Sequence, residues 1–216
     1  MSKKIAVVLS GCGVFDGAEI NEVVLTLLAI EQEGAEYQAF APDKDQFHVV
    51  EHNNGQELLE GRNVLVEAAR IVRGNILSLD KLNVDDFDAL VVPGGFGVAK
   101  NLSDFAISAD MLKIDPGFEK TLFAFKNADK PIGYMCIAPV LMPKVHPGVR
   151  CTIGNDEATA QVIKTLGGVH IDCPVDEIVA DEKNKVVSTP AYMLANSISE
   201  AKSGIDKLVS KVLSMS

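Results

Sequence analysis

No run of roughly eighteen apolar residues occurs anywhere in the chain, so nothing in it reads as a membrane-spanning helix. The run Ile5-Ala6-Val7-Val8-Leu9 that follows Lys3-Lys4 is too short for a signal-peptide core, and a cytoplasmic location is the expectation. Basic residues are also in short supply: 20 Lys and Arg stand against 30 Asp and Glu, for a formal charge of −10, with no local basic cluster. That balance argues against nucleic acid and anionic membranes as partners. Cys12, Cys136, Cys151 and Cys173 are far apart, with no Cys-x-x-Cys pair, which argues against a zinc knuckle or a redox dithiol and leaves reduced thiols as the expectation. His48, His52, His146 and His170 are scattered too. The first two have i, i+4 spacing, but the segment around them lacks a helical apolar face, so no metal site is expected there.

What is present suits one packed domain over residues 1–216, of which 47% are hydrophobic and 23% charged. Lys4 to Ser10 reads as a strand covered on both faces, because its Val, Ile and Leu run without alternation. The loop Gly11-Cys12-Gly13-Val14-Phe15-Asp16-Gly17 opens a helix from about Ala18 to Glu33, closed by Gly34. Its glycine spacing is wrong for a nucleotide fingerprint. Tyr37–Ala41 is a second strand, and residues 44–61 form a polar excursion with a turn at Asn53-Asn54-Gly55. A helix over Val64–Val72, a strand over Asp88–Val92 and a helix over Pro116–Asn127 follow. After the 132–136 strand come a helix, a short strand Cys151–Ile153, a helix Glu157–Leu166, a hairpin of 178–180 with 186–189, and a final helix Ser197–Leu213. Strands alternating with helices over short loops imply a doubly wound α/β sandwich.

The sequence around Cys136 is the most informative stretch. The apolar run Ile132-Gly133-Tyr134-Met135 ends on Cys136 and passes at once into Ile137-Ala138-Pro139, whose proline fits only a helix's first turn. A thiol on such a strand-to-helix corner lies near unpaired backbone N–H groups and the positive end of a helix dipole. Both favour the thiolate, so an apparent pKa below the ~8.5 of free cysteine is expected. The plainer alternative is a small core residue.

Ligands of an open parallel sheet bind beyond the carboxyl ends of its strands. Three segments leave strands there: Gly11–Gly17, Pro93–Gly97 and the Cys136 corner. Pro93-Gly94-Gly95 exposes consecutive backbone N–H groups with no side chain in the way, as an oxyanion hole requires, although the same glycines also suit a simple tight turn. The first helix offers Glu19 and Glu22 one turn apart, either able to reach that edge. Acids that merely complement the helix dipole are the plainer account of them.

Gly133-Tyr134-Met135-Cys136-Ile137-Ala138-Pro139, Pro93-Gly94-Gly95-Phe96-Gly97 and the first-helix glutamate resemble the PfpI-like, class I glutamine amidotransferase-like superfamily. Within it, Leu9–Val14, Val91–Asn101, Met135–Pro139, Cys173–Asp176 and Thr189–Leu194 resemble the ElbB-like family, named for enhanced lycopene biosynthesis. The resemblance implies a flavodoxin-like α/β/α sandwich, usually a homodimer, with Cys136 as nucleophile and Glu22 as its acid. Glu22 is preferred over Glu19 because the family's acid lies twelve residues before the glycine that ends the helix, here Gly34. Backbone N–H groups of Gly95 and Ile137 would form the oxyanion hole, and Gly11, Gly94 and Asn101 are candidate substrate-binding residues. The implied activity is a glyoxalase that uses no cofactor and acts on glyoxal, a small carbonyl substrate, either in its own right or as a by-product of deglycase action. Two departures narrow this further. Ile137 stands where protease-like members carry a histidine, and no His-x-Glu pair follows Cys151, so proteolysis and glutamine hydrolysis are disfavoured. A binding or regulatory protein with a redox-sensing cysteine, linked to isoprenoid metabolism, is the rival reading.

Overall fold

The computed structural model describes residues 2–108 and 111–216. In chain order its strands are β1 (Lys4–Val8), β2 (Glu36–Ala41), β3 (Val49–Glu51), β4 (Gln56–Leu58), β5 (Ile76–Ser78), β6 (Ala89–Val92), β7 (Ile132–Met135), β8 (Arg150–Cys151), β9 (Val169–His170), β10 (Val179–Asp181) and β11 (Val186–Thr189). The helices are α1 (Ile20–Gln32), α2 (Val64–Ile71), α3 (Phe96–Lys100), α4 (Phe105–Ser108), α5 (Pro116–Asn127), α6 (Met142–Val145), α7 (Glu157–Thr165) and α8 (Ile198–Met215).

Seven strands form one sheet in the order β10-β11-β7-β6-β1-β2-β5, parallel throughout except for β10, which pairs antiparallel with β11. The chain builds outward from β1 through β2 to β5, then returns to lay β6 on β1's other side. The order therefore reverses between β1 and β6, and the segments that leave these two strands meet over that point. This is the doubly wound sandwich, and the continuous apolar runs explain it. Ile5, Val7 and Leu9 face a core shared with α1 and α8, while Ala6 and Val8 face a second core with Phe118, Leu122 and Phe125 of α5. Gly133 lets α8 lie close to β7, since a Cβ there would come 2.7 Å from Leu208 Cδ2 and 3.0 Å from Val212 Cγ2.

Three details differ from the sequence expectation. The first helix begins at Ile20, because the Glu19 side chain accepts a hydrogen bond from the Glu22 amide and so caps it. Its far end closes as expected at Gly34 (φ +72°), with Gly34 N–H donating to Glu31 and Ala35 N–H to Ile30. Residues after Cys136 form a 3₁₀ turn over Ala138–Leu141 and then the single turn of α6, not a continuous α-helix, since Pro143 lacks the N–H that would donate to the Pro139 carbonyl four residues back. Finally, Ile76-Leu77-Ser78 forms the edge strand β5, three residues too few to show a pattern.

Candidate active site

Over the carboxyl ends of β1, β6 and β7, the glycines bring three loops into contact. Gly97 N–H donates to the Gly17 carbonyl at 2.8 Å, and a Cβ on Gly95 (φ +95°) would meet Glu19 N and Gly17 O at 2.4 Å. Only glycine fits so close an approach with a positive φ. Beside them Glu22, fully buried on α1, is gripped from two sides. Its Oε2 accepts from Gly94 N–H at 2.8 Å, and its Oε1 accepts from Tyr192 N–H at 3.1 Å. A Cβ on Gly94 would sit 2.4 Å from Cys136 Cβ, 2.7 Å from Glu22 Oε2 and 3.0 Å from Cys136 Sγ. The carboxylate and the sulfur thus flank one small space that Gly94 keeps open.

Cys136 stands on this corner at φ +59°, a left-handed conformation that L-residues adopt at a cost and that concentrates at functional turns. Its N–H donates to the Thr189 carbonyl at 3.1 Å, and the residue is 7% exposed. Burial and then the Glu22 charge push the thiol pKa well up, while the amides of Gly95 and Ile137, hydrogen-bonded to the sulfur, pull it down. The expected lowering below free cysteine is therefore overturned. A four-residue 3₁₀ turn supplies little dipole, and desolvation of the thiolate outweighs it. Glu22 moves up as well, to about 7, through burial and the nearby Glu19 charge, opposed by its hydrogen bonds. A buried thiol beside a carboxyl that ionises near neutrality is an acid–base pair in which the carboxylate is placed to take the sulfur's proton.

Gly95 and Ile137 thus lie at the sulfur with Glu22 and Gly94. Other expected residues lie elsewhere or are engaged. Asn101, 1% exposed, donates to the Ser10 and Asp16 carbonyls and accepts from Phe47 N–H, so its amide joins loops and has no free group for a substrate. Gly11 (φ +114°) packs against Gly17 and Gln46. Glu19 is occupied as the helix cap. His48 meets the Lys100 ammonium at 2.7 Å, and His52 accepts from Phe15 N–H. His170 accepts from Ile153 N–H and faces Asp172 at 3.5 Å, so it braces the β8–β9 segment. A cavity of about 800 Å³ opens between the end of β2, residues 78–84 and α5, lined by Lys44, Asp80, Lys81, Asp115 and Lys120; neither Cys136 nor Glu22 borders it. The backbone groups of Thr189 and Tyr192 were missed by sequence reasoning. Their only signal was the matching stretch Thr189–Leu194.

A thiol on a left-handed corner beside a buried glutamate, at the switch point of a doubly wound sheet, defines the class I glutamine amidotransferase-like fold. No family model matches the chain. It is 46% identical to the Homo sapiens "glutamine amidotransferase-like class 1 domain-containing protein 3, mitochondrial", over 98% of this chain and 83% of that protein. It is 45% identical to the Rattus norvegicus "ES1 protein homolog, mitochondrial", over 98% of this chain and 84% of that one. A solved structure of an isoprenoid biosynthesis protein with an amidotransferase-like domain from Ehrlichia chaffeensis is 39% identical, covers 99% of both chains and superposes with a TM-score of 0.93. The chain belongs to the ES1 family of glutamine amidotransferase-like class 1 domain proteins.

Proposed function

We propose that the protein is a thiol enzyme of the ElbB-like kind, converting glyoxal or a related small dicarbonyl to a 2-hydroxy acid without a cofactor. The observation that carries this reading is the shared space at Gly94, with Cys136 Sγ and Glu22 Oε2 on its walls. Ionised Glu22, which titrates near 7, takes the Cys136 proton as the sulfur attacks one aldehyde carbon, and the resulting alkoxide is protonated to a hemithioacetal. Amides of Gly95 and Ile137 face the developing negative charge. Glu22 then moves the proton from that carbon to the neighbouring one through an enediol, leaving a hydroxyacyl thioester on Cys136. Water cleaves the thioester, releasing glycolate from glyoxal and returning the thiol. Overall one dicarbonyl and one water give one hydroxy acid, so no external oxidant or reductant is needed.

The homodimer remains a proposal too. Residues 23–30 of α1 include no charged side chain, and Ile20, Val24 and Leu28 form an exposed row along it, a surface suited to a second copy of the chain. A cytoplasmic location is likewise proposed, and the mitochondrial names of the mammalian relatives do not match it; among the described residues no helix is long and apolar enough to cross a membrane. The name of the Ehrlichia protein supports a link to isoprenoid metabolism. Glycolate formation from glyoxal by purified protein, lost in Cys136→Ser, is the expected result. Absence of turnover in a folded protein would favour the binding or regulatory reading.

A further inference from the structure

The Cys136–Glu22 pair is held by a turn from the far end of the chain. β11 ends at Thr189, whose carbonyl accepts from Cys136 N–H. Pro190 and Ala191 follow, and Tyr192 N–H then donates to Glu22 Oε1 from 170 residues away in sequence. Ala191 is buried at φ +44°, a strained conformation for a residue with a side chain. That left-handed step turns the next N–H toward α1. Two further contacts fix the turn in place. Thr189 Oγ1 donates to the Glu177 carbonyl at 2.8 Å, and Asn21, beside Glu22 on α1, donates to the Tyr192 phenol at 3.4 Å. A carboxylate has about four acceptor positions, and with Gly94 and Tyr192 each holding one oxygen, Glu22 cannot rotate without breaking a buried hydrogen bond.

We propose that Tyr192 is a positioning residue whose backbone amide, presented by the strained Pro190–Ala191 turn, aims the Glu22 carboxyl at Cys136 and sets the pH at which it takes a proton. This rests on Glu22 being the proton carrier for Cys136. An amide donor favours the ionised carboxylate, so losing it makes Glu22 harder to ionise.

Labelling with ¹⁵N-tyrosine gives three backbone signals, from Tyr37, Tyr134 and Tyr192, and Tyr192→Phe identifies the third. Its amide proton shift should titrate with a midpoint of about 7 and lose that titration in Glu22→Gln. Replacing Tyr192 by its α-hydroxy acid swaps the amide for an ester and keeps the phenol. This should raise the Glu22 midpoint by about one unit, read from the carboxyl infrared band that Glu22→Gln removes. Tyr192→Phe keeps the N–H and should leave the midpoint in place. A Tyr192 signal that ignores Glu22, or an ester that leaves the midpoint unmoved, overturns the proposal; should the ester protein not fold, the amide titration decides alone. Neither measurement needs turnover, so a protein inactive on glyoxal would fail the functional reading and could still pass here.

Discussion

Cys136 and Cys151 lie at the ends of short strands, and burial raises the pKa of both thiols, yet their surroundings differ in kind. Cys151 ends β8 fully buried among Tyr134, Val149 and Ile163, its thiol pushed up to about 12 by desolvation and the Asp181 charge. Cys136 has the same penalty, but a carboxyl, two amides and a left-handed backbone surround it. Burial alone makes an inert core residue. What distinguishes Cys136 is a neighbour able to accept its proton and donors able to stabilise what forms.

Removing each sulfur is the severest test of that contrast. Cys136→Ser should abolish glyoxal turnover with little change in melting temperature. Cys151→Ser should leave turnover near wild type and lose about 1–3 kcal/mol of stability in urea unfolding, because it buries a hydroxyl in an apolar core. Gly94→Ala comes next. Its methyl would lie 2.4 Å from Cys136 Cβ and 2.7 Å from Glu22 Oε2, so the pair must separate. Misplacement on that scale should lower kcat/KM by at least roughly 10²-fold. Glu22→Gln keeps the shape but carries no proton, and turnover should fall by about 10²–10⁴.

Much of this site was legible because it is local. Apolar runs ending in Gly11, Pro93-Gly94-Gly95 and Cys136 mark strand ends, and the parallel topology collects strand ends at one edge. Glu22 lies in the first turn of α1; the strand-end logic brought both it and Glu19 to that edge, and the family resemblance chose between them. The direction of the Cys136 shift was not legible. It depends on burial of the sulfur and on the Glu22 charge, and the 189–192 turn that holds both residues reaches the corner only after β11 has paired with β7. The same holds for the Tyr192 amide, since any residue except proline could supply it. Asn101 was misjudged for a related reason, as its partners at Ser10, Asp16 and Phe47 come from two other loops. Pro139 was read as opening an α-helix, but Pro143 four residues later interrupts the ladder, leaving a 3₁₀ turn followed by the single turn of α6.

Two smaller effects sharpen the comparison through stability. The Glu22 pKa rises from 4.5 to about 7 on folding, so between those values the native state binds more protons than the unfolded chain. Stability should be greatest below pH 4.5 on this account and decline as pH rises toward 7. At 1.36 kcal/mol per unit the contribution is about 3 kcal/mol. Urea midpoints across that range should show the decline in wild type and a flatter course in Glu22→Gln. Glu19→Ala removes the cap of α1 together with one of the charges that raise the Glu22 pKa; it should cost about 1 kcal/mol and lower turnover far less than Glu22→Gln.

The central claim, that Glu22 is the base for Cys136, is tested most directly by the pH dependence of kcat/KM for glyoxal in wild type and Glu22→Gln. Wild-type activity should rise with pH through a midpoint near 7 as Glu22 ionises, and the residual activity of the variant should lack that rise. The same limb at the same midpoint in Glu22→Gln would contradict the account, since the titrating group would then lie elsewhere.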